Sequence, residues 1–107
     1  MADDFRSLVR QKAQARLLFL PHAVRQMNHP ERMIRPAEIE KAVMDGVLIE
    51  EYPEDARGHS CLILGYGDED RPIHVVCAPK DEYLAIITAY LPDVTRWSDD
   101  FRTRRST

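Results

Sequence analysis

His22 and Arg25 stand three residues apart in the run His22-Ala23-Val24-Arg25-Gln26-Met27, a spacing that puts both on one side of a helix. Imidazole can give and take protons near neutral pH. A guanidinium one turn away can hold a phosphate through paired donors. Thr88 and Tyr90 follow near the end of the apolar run Leu84 to Leu91. Residues two apart on a strand share a face, so their hydroxyls point the same way. The same alternation predicts that Leu84 and Ile86 lie on that face and form core, with Thr88 and Tyr90 where it emerges. A proton carrier, a cation and two hydroxyls describe a small cleft suited to phosphate chemistry. Arg32, in Glu31-Arg32-Met33-Ile34, is a second cation close by in sequence.

His74 lies in Pro72-Ile73-His74-Val75-Val76, and its side depends on register. A two-residue loop at Lys80-Asp81 would set it opposite Ile87 and away from Thr88. A longer loop would set it opposite Ile86 and bring it to the Thr88 face. A slip of one residue reverses every side chain. Lys80-Asp81 lacks the glycine that tight hairpins favour, which favours the longer loop. His29 and His59 fall in expected loops. No histidine pair has the spacing of a helical or strand metal site, so neither metal nor cofactor is expected. Glycine-rich phosphate loops and nucleophile elbows are absent. Cys61 and Cys77 sit inside apolar runs and read as buried free thiols.

The elements that must position these groups can be read from periodicity. Phe5, Leu8, Val9, Ala13 and Leu17 recur at helical spacing, predicting an amphipathic helix over residues 4–18, capped by Asp3 or Asp4. Pro21 starts a second helix that runs to about Asn28. Arg35-Pro36 opens a third, with Ile39, Ala42 and Val43 inward and Gly46 as its terminating glycine. The period then changes. Val47 to Glu51, Ser60 to Tyr66, Pro72 to Ala78 and Tyr83 to Tyr90 read as strands separated by short turns. Short connections favour antiparallel neighbours. The expected fold is a single α+β domain, with the N-terminal helices on one face of a roughly four-stranded antiparallel sheet. Residues 94–107 are expected to add a short helix, and 102–107 a frayed basic tail.

The chain has 107 residues, 44% hydrophobic and 31% charged, a soluble globular balance long enough for a core. No apolar run approaches the roughly 20 residues of a membrane span. The opening Met1-Ala2-Asp3-Asp4 lacks the layout of a secretory signal, so a cytoplasmic location and no membrane contact are expected. Net charge is −3 but unevenly placed. Residues 1–35 hold seven Lys/Arg against three Asp/Glu, and residues 36–70 hold two against ten. If the two chain ends meet, they form a positive surface able to attract a phosphate backbone.

The order of His22, Ala23, Arg25, Met27, Glu31, Arg32 and Ile34, then Glu40, Val43 and Gly46, resembles the family DUF4258. So do Tyr52-Pro53, Leu62-Ile63-Leu64-Gly65, Ile73-His74-Val75-Val76 and Thr88-Ala89-Tyr90 before Pro92-Asp93. The resemblance spans roughly residues 17–97. That family is similar to the small bacterial toxins of the RelE and barnase-like superfamily, BrnT-type proteins included. The resemblance implies a metal-independent endoribonuclease, the toxin of a toxin–antitoxin pair, acting on RNA, free or on the ribosome. Its site would draw on His22, Arg25, His74 and Tyr90 for catalysis and on Arg32 and Thr88 for substrate. The alternative is a non-catalytic module whose acidic middle, including Glu50, Glu51, Glu54 and Asp55, meets a basic protein partner such as an antitoxin.

Overall fold

The computed structural model describes residues 2–106, with side chains from Asp4 onward. Thr107, the last residue of the expected tail, and the Asp3 side chain lie outside that description. Helix α1 covers Ala2–Ala15, so Asp4 sits inside its first turn and not at a cap. Strand β1, Leu17–Phe19, follows at once. Pro21 and Pro36 each occupy a first helical turn, where the missing N–H has no partner to lose. They open α2, Pro21–Met27, and α3, Pro36–Asp45. The strands β2, Val47–Tyr52, β3, Ser60–Tyr66, β4, Pro72–Pro79, and β5, Leu84–Tyr90, fall within a residue or two of their expected positions.

The sheet has five strands in the order β1-β5-β4-β3-β2. Four are antiparallel neighbours, but β1 pairs parallel to β5, with Leu17 opposite Leu84 and Phe19 opposite Ile86. The sheet is therefore mixed and not purely antiparallel. The sequence hides β1 because three apolar residues after a helix also satisfy the helical stripe. Leu8, expected inside that stripe, is partly exposed.

One sheet face carries the apolar core. Ile63, Ile73, Val75, Cys77, Leu84, Ile86 and Ala89 pack there with Val9 and Ala13 of α1, Ala23 and Met27 of α2, and Ile39 and Val43 of α3. Gly46 ends α3 in an extended conformation and not the left-handed one expected of a terminating glycine. Close approach explains its choice, since a side chain there would meet the Ala42 and Leu64 carbonyl oxygens at 2.4 and 2.5 Å. Among the described residues, no helix is long and apolar enough to cross a membrane.

Two bulges decide what lies on the opposite face. In β5, Ile86 pairs with Cys77 but Thr88 pairs with Val76, leaving Ile87 as an extra residue. In β2, Leu48 pairs with Ile63 but Glu50 pairs with Leu62, leaving Ile49 extra. Each extra residue reverses the alternation downstream. Leu84 and Ile86 therefore face the apolar core, while Thr88 and Tyr90 point to the other side of the sheet. That corrects the expectation that all four share a face. A row of residues, Glu50, Leu62, Val76 and Thr88, crosses the outer face, with Tyr90 and His74 paired beside it.

The outer face is covered by the C-terminal segment. Among its described residues it forms neither a helix nor a frayed tail. Trp97, only 3% exposed, forms an isolated antiparallel bridge with Arg104. Arg104 pairs with Glu50 at 2.9 Å, and Arg105 pairs with Asp99 at 2.8 Å and donates to the Val94 carbonyl. Arginines that read as a solvated tail are thus fastened to the body by carboxylates and a carbonyl.

Candidate active site

Helix α2 is anchored by its buried Ala23 and Met27, and the Leu20 N–H donates to the Ile86 carbonyl at 3.0 Å. This seats the helix start against β5. His22 and Gln26, one turn apart, then line an open cavity of about 590 Å³ together with Thr88 and Tyr90. That size falls within the range of small-molecule sites. The remaining walls are Arg32 from the loop after α2, and Asp93, Arg96, Trp97 and Arg104 from the C-terminal segment. Cations from the two ends of the chain do meet here. Arg25 is exposed on α2 and does not line the cavity. Its three-residue offset from His22 carries it past the helix edge, whereas the four-residue offset keeps Gln26 beside it.

Arg32 donates to the Gln26 side-chain oxygen at 2.8 Å. Its loop is held from below by Arg71, which donates to the Arg32 and Met33 carbonyls at 2.7 and 2.9 Å. Arg71 is fixed in turn by Glu38, a carboxylate only 2% exposed, at 2.8 Å. Glu38 also accepts the backbone N–H of Arg35, closing the first turn of α3, and that of Asp68. Burial alone would raise its pKa. The Arg71 guanidinium and the two N–H donors outweigh burial and hold it at about 2. A buried carboxylate so satisfied acts as a rigid post for the loop that presents Arg32.

His74 is fully buried and sits behind Tyr90, outside the cavity lining. Its Nε2 lies 2.9 Å from the Phe101 carbonyl, which can only accept. The proton therefore resides on Nε2, and Nδ1 is free to accept from the Tyr90 hydroxyl at 3.2 Å. Burial lowers the His74 pKa, against the Phe101 carbonyl and the Glu50 charge. The ring is thus a neutral strut that aims Tyr90. The longer-loop reading brought His74 to this face, but by a four-residue loop and the bulge at Ile87, which set it opposite Tyr90. Burial raises the Tyr90 pKa, so it remains a phenol.

Trp97 stands edge-on to His74, with ring centroids 4.4 Å apart. The Arg104 guanidinium lies over the Trp97 ring, 4.7 Å from its centroid. Two of the Arg104 nitrogens are engaged by Glu50. Asp93 is the cavity's carboxylate, held charged by the backbone N–H and then the hydroxyl of Thr95. Arg96 is exposed and has no carboxylate partner among the described residues. Gln26, Asp93, Arg96, Trp97 and Arg104 were not legible as site residues. A lone tryptophan in an otherwise polar C-terminal stretch was the available signal that this segment docks.

A family profile described as a domain of unknown function, DUF4258, matches residues 19–91. The chain belongs to this family. Comparison with curated proteins and with solved structures returns no match. The matched DUF4258 segment carries His22, Gln26, Arg32, Thr88 and Tyr90. The other four cavity residues lie beyond it.

Proposed function

We propose that this cavity is the site of a metal-independent endoribonuclease. One observation carries the reading: His22, Arg32, Thr88 and Tyr90, distant in sequence, line one open cavity with two further arginines. A proton carrier, cations and hydroxyls are the groups that cleavage of a phosphodiester requires. His22 takes the proton of an RNA 2′-OH, and the 2′ oxygen attacks the adjacent phosphorus. Arg32 and Arg96 hold the phosphate and stabilise the charge that builds on its oxygens. The bond from phosphorus to the 5′ oxygen breaks, and Tyr90, turning its proton from His74, protonates that oxygen. A phenol is a stronger acid than the departing alcohol, so the transfer runs downhill. The products are a 2′,3′-cyclic phosphate and a 5′-hydroxyl end. Thr88 orients a phosphate oxygen. His74 acts through Tyr90 as a positioning residue.

On this reading the chain is similar in role to RelE- and BrnT-type toxins, and an antitoxin is its natural protein partner. A purely protein-binding role for the acidic middle draws less support. Glu50, Glu51 and Asp55 are already paired with Arg104, His59 and Arg57 of the same chain. The test is digestion of a mixed-sequence RNA in EDTA, with and without ribosomes, by the wild-type protein and by His22→Ala. Cyclic-phosphate ends made by the wild type and lost in the variant are the expected result. Intact RNA in every wild-type reaction, or equal cleavage by the variant, overturns the proposal.

A further inference from the structure

Arg104 differs from the other cavity arginines in what its edge already holds. Its Nε and Nη2 donate to Glu50 at 2.9 and 3.1 Å, so its side-on donor pair is occupied and its charge is matched by a carboxylate. Its guanidinium carbon lies over the Trp97 ring, 4.7 Å from the centroid. Its side chain nonetheless remains 61% exposed and lines the cavity. With its charge matched and one bidentate edge taken, what it most offers a ligand is the exposed flat surface of its plane. Guanidinium planes stack well on nucleobases. Arg32 and Arg96 are without a carboxylate partner among the described residues and are left to take the phosphate.

We infer that Arg104, clamped between Glu50 and Trp97, is a stacking platform for an unpaired RNA base next to the scissile phosphate. The inference rests on the phosphodiester reading above and adds a ligand class to it, single-stranded RNA with a base at that position. A base-paired nucleotide has its faces covered by its neighbours and would be refused. Trp97 and Arg104 both lie beyond residues 19–91. The platform is thus supplied by the segment outside the family match, while the phosphate chemistry comes mainly from within it.

The experiment measures binding by fluorescence anisotropy with three short probes made uncleavable by 2′-O-methylation. One is a single strand, one is the same strand with abasic sugars, and one is its duplex. For the wild type, the single strand should bind about tenfold tighter than either of the others, as expected for stacking of one base. In Arg104→Lys, which keeps the charge and loses the plane, that preference should fall to within about twofold. Binding of the abasic strand should change less than binding of the single strand. Equal wild-type affinity for single and abasic strands overturns the platform and leaves the phosphate reading standing. Absence of binding to all three probes overturns both. A preference that persists in Arg104→Lys assigns the stacking elsewhere and also overturns the inference. The wild-type comparison can still overturn the inference if the variant fails to fold.

Discussion

The two faces of this sheet are built on different principles. The helix-packed face is a continuous apolar layer, with Ile39, Val43, Ile63, Val75 and Ile86 all at zero exposure. The opposite face mixes Leu62 and Leu64 with His74, Thr88, Tyr90, Glu50 and Tyr52, and its cover is a segment without regular secondary structure. Apolar packing is tolerant of detail and strong in sum. A polar layer is exacting, because each buried group needs its partner. The Tyr52 hydroxyl shows this, since burial and its 2.5 Å bond to Glu50 raise its pKa to about 12. One face thus holds the fold together, and the other fixes the orientation of a few side chains around an opening.

Several substitutions would break that division or sharpen it. The largest effect is expected at the opening. His22→Ala should cost roughly 10²–10⁴ in cleavage rate with an unchanged melting temperature, because His22 is exposed. Arg25→Ala, on the same helix but off the cavity, should stay within about twofold. A drop at Arg25 equal to that at His22 would mean the cavity has been drawn in the wrong place. On the helix face, Ile39→Ala should cost about 2–5 kcal/mol in urea unfolding and leave the affinity for RNA in the remaining folded protein unaltered.

Acid should act next, through Glu38. Its folded pKa of about 2 lies below its ordinary value of 4.5, so the folded state favours the charged form. Its contribution is fully present above about pH 4.5 and fades as pH falls toward 2. The full effect is about 3 kcal/mol. Glu38→Gln should flatten unfolding free energy measured across that window, and an unchanged acid limb would refute the assignment. The smallest effect is expected at the surface. Arg105→Ala removes an exposed pair with Asp99 and should change stability by about 0.5 kcal/mol or less, measured by the same urea titration.

Much of the helix-packed face was legible in the sequence, and the reason is its redundancy. Helices α2 and α3 announce themselves by Pro21 and Pro36, and the four longer strands by their apolar runs and punctuation. Strand β1 was not legible, since Leu17–Phe19 is too short to show a period. Neither bulge was legible either. Ile87 stands within a run apolar on both sheet faces, where a one-residue shift leaves no mark on composition, and Ile49 closes a short apolar run just before Glu50, too brief to show a period. The site was therefore readable as residue types, such as His22, Arg32, Thr88 and Tyr90, but not as an assembly. The C-terminal cover escaped notice because its attachment is made by arginines, which look the same whether solvated or paired.

The bulge at Ile87 carries a consequence for how such a site changes over evolutionary time. Point substitutions can tune Thr88 or Tyr90, but none of them moves these side chains across the sheet. Loss of the codon for Ile87 would not do so either, because Ile86 would still face Cys77 and Thr88 would still face Val76 in a regular ladder. Only pairing of Ile87 itself with Val76 would turn both hydroxyls into the apolar layer and Ala89 toward the opening. Relatives can therefore lack this residue and keep the arrangement, and alignments that close such a one-residue gap to preserve strand length would misplace both hydroxyls by one position.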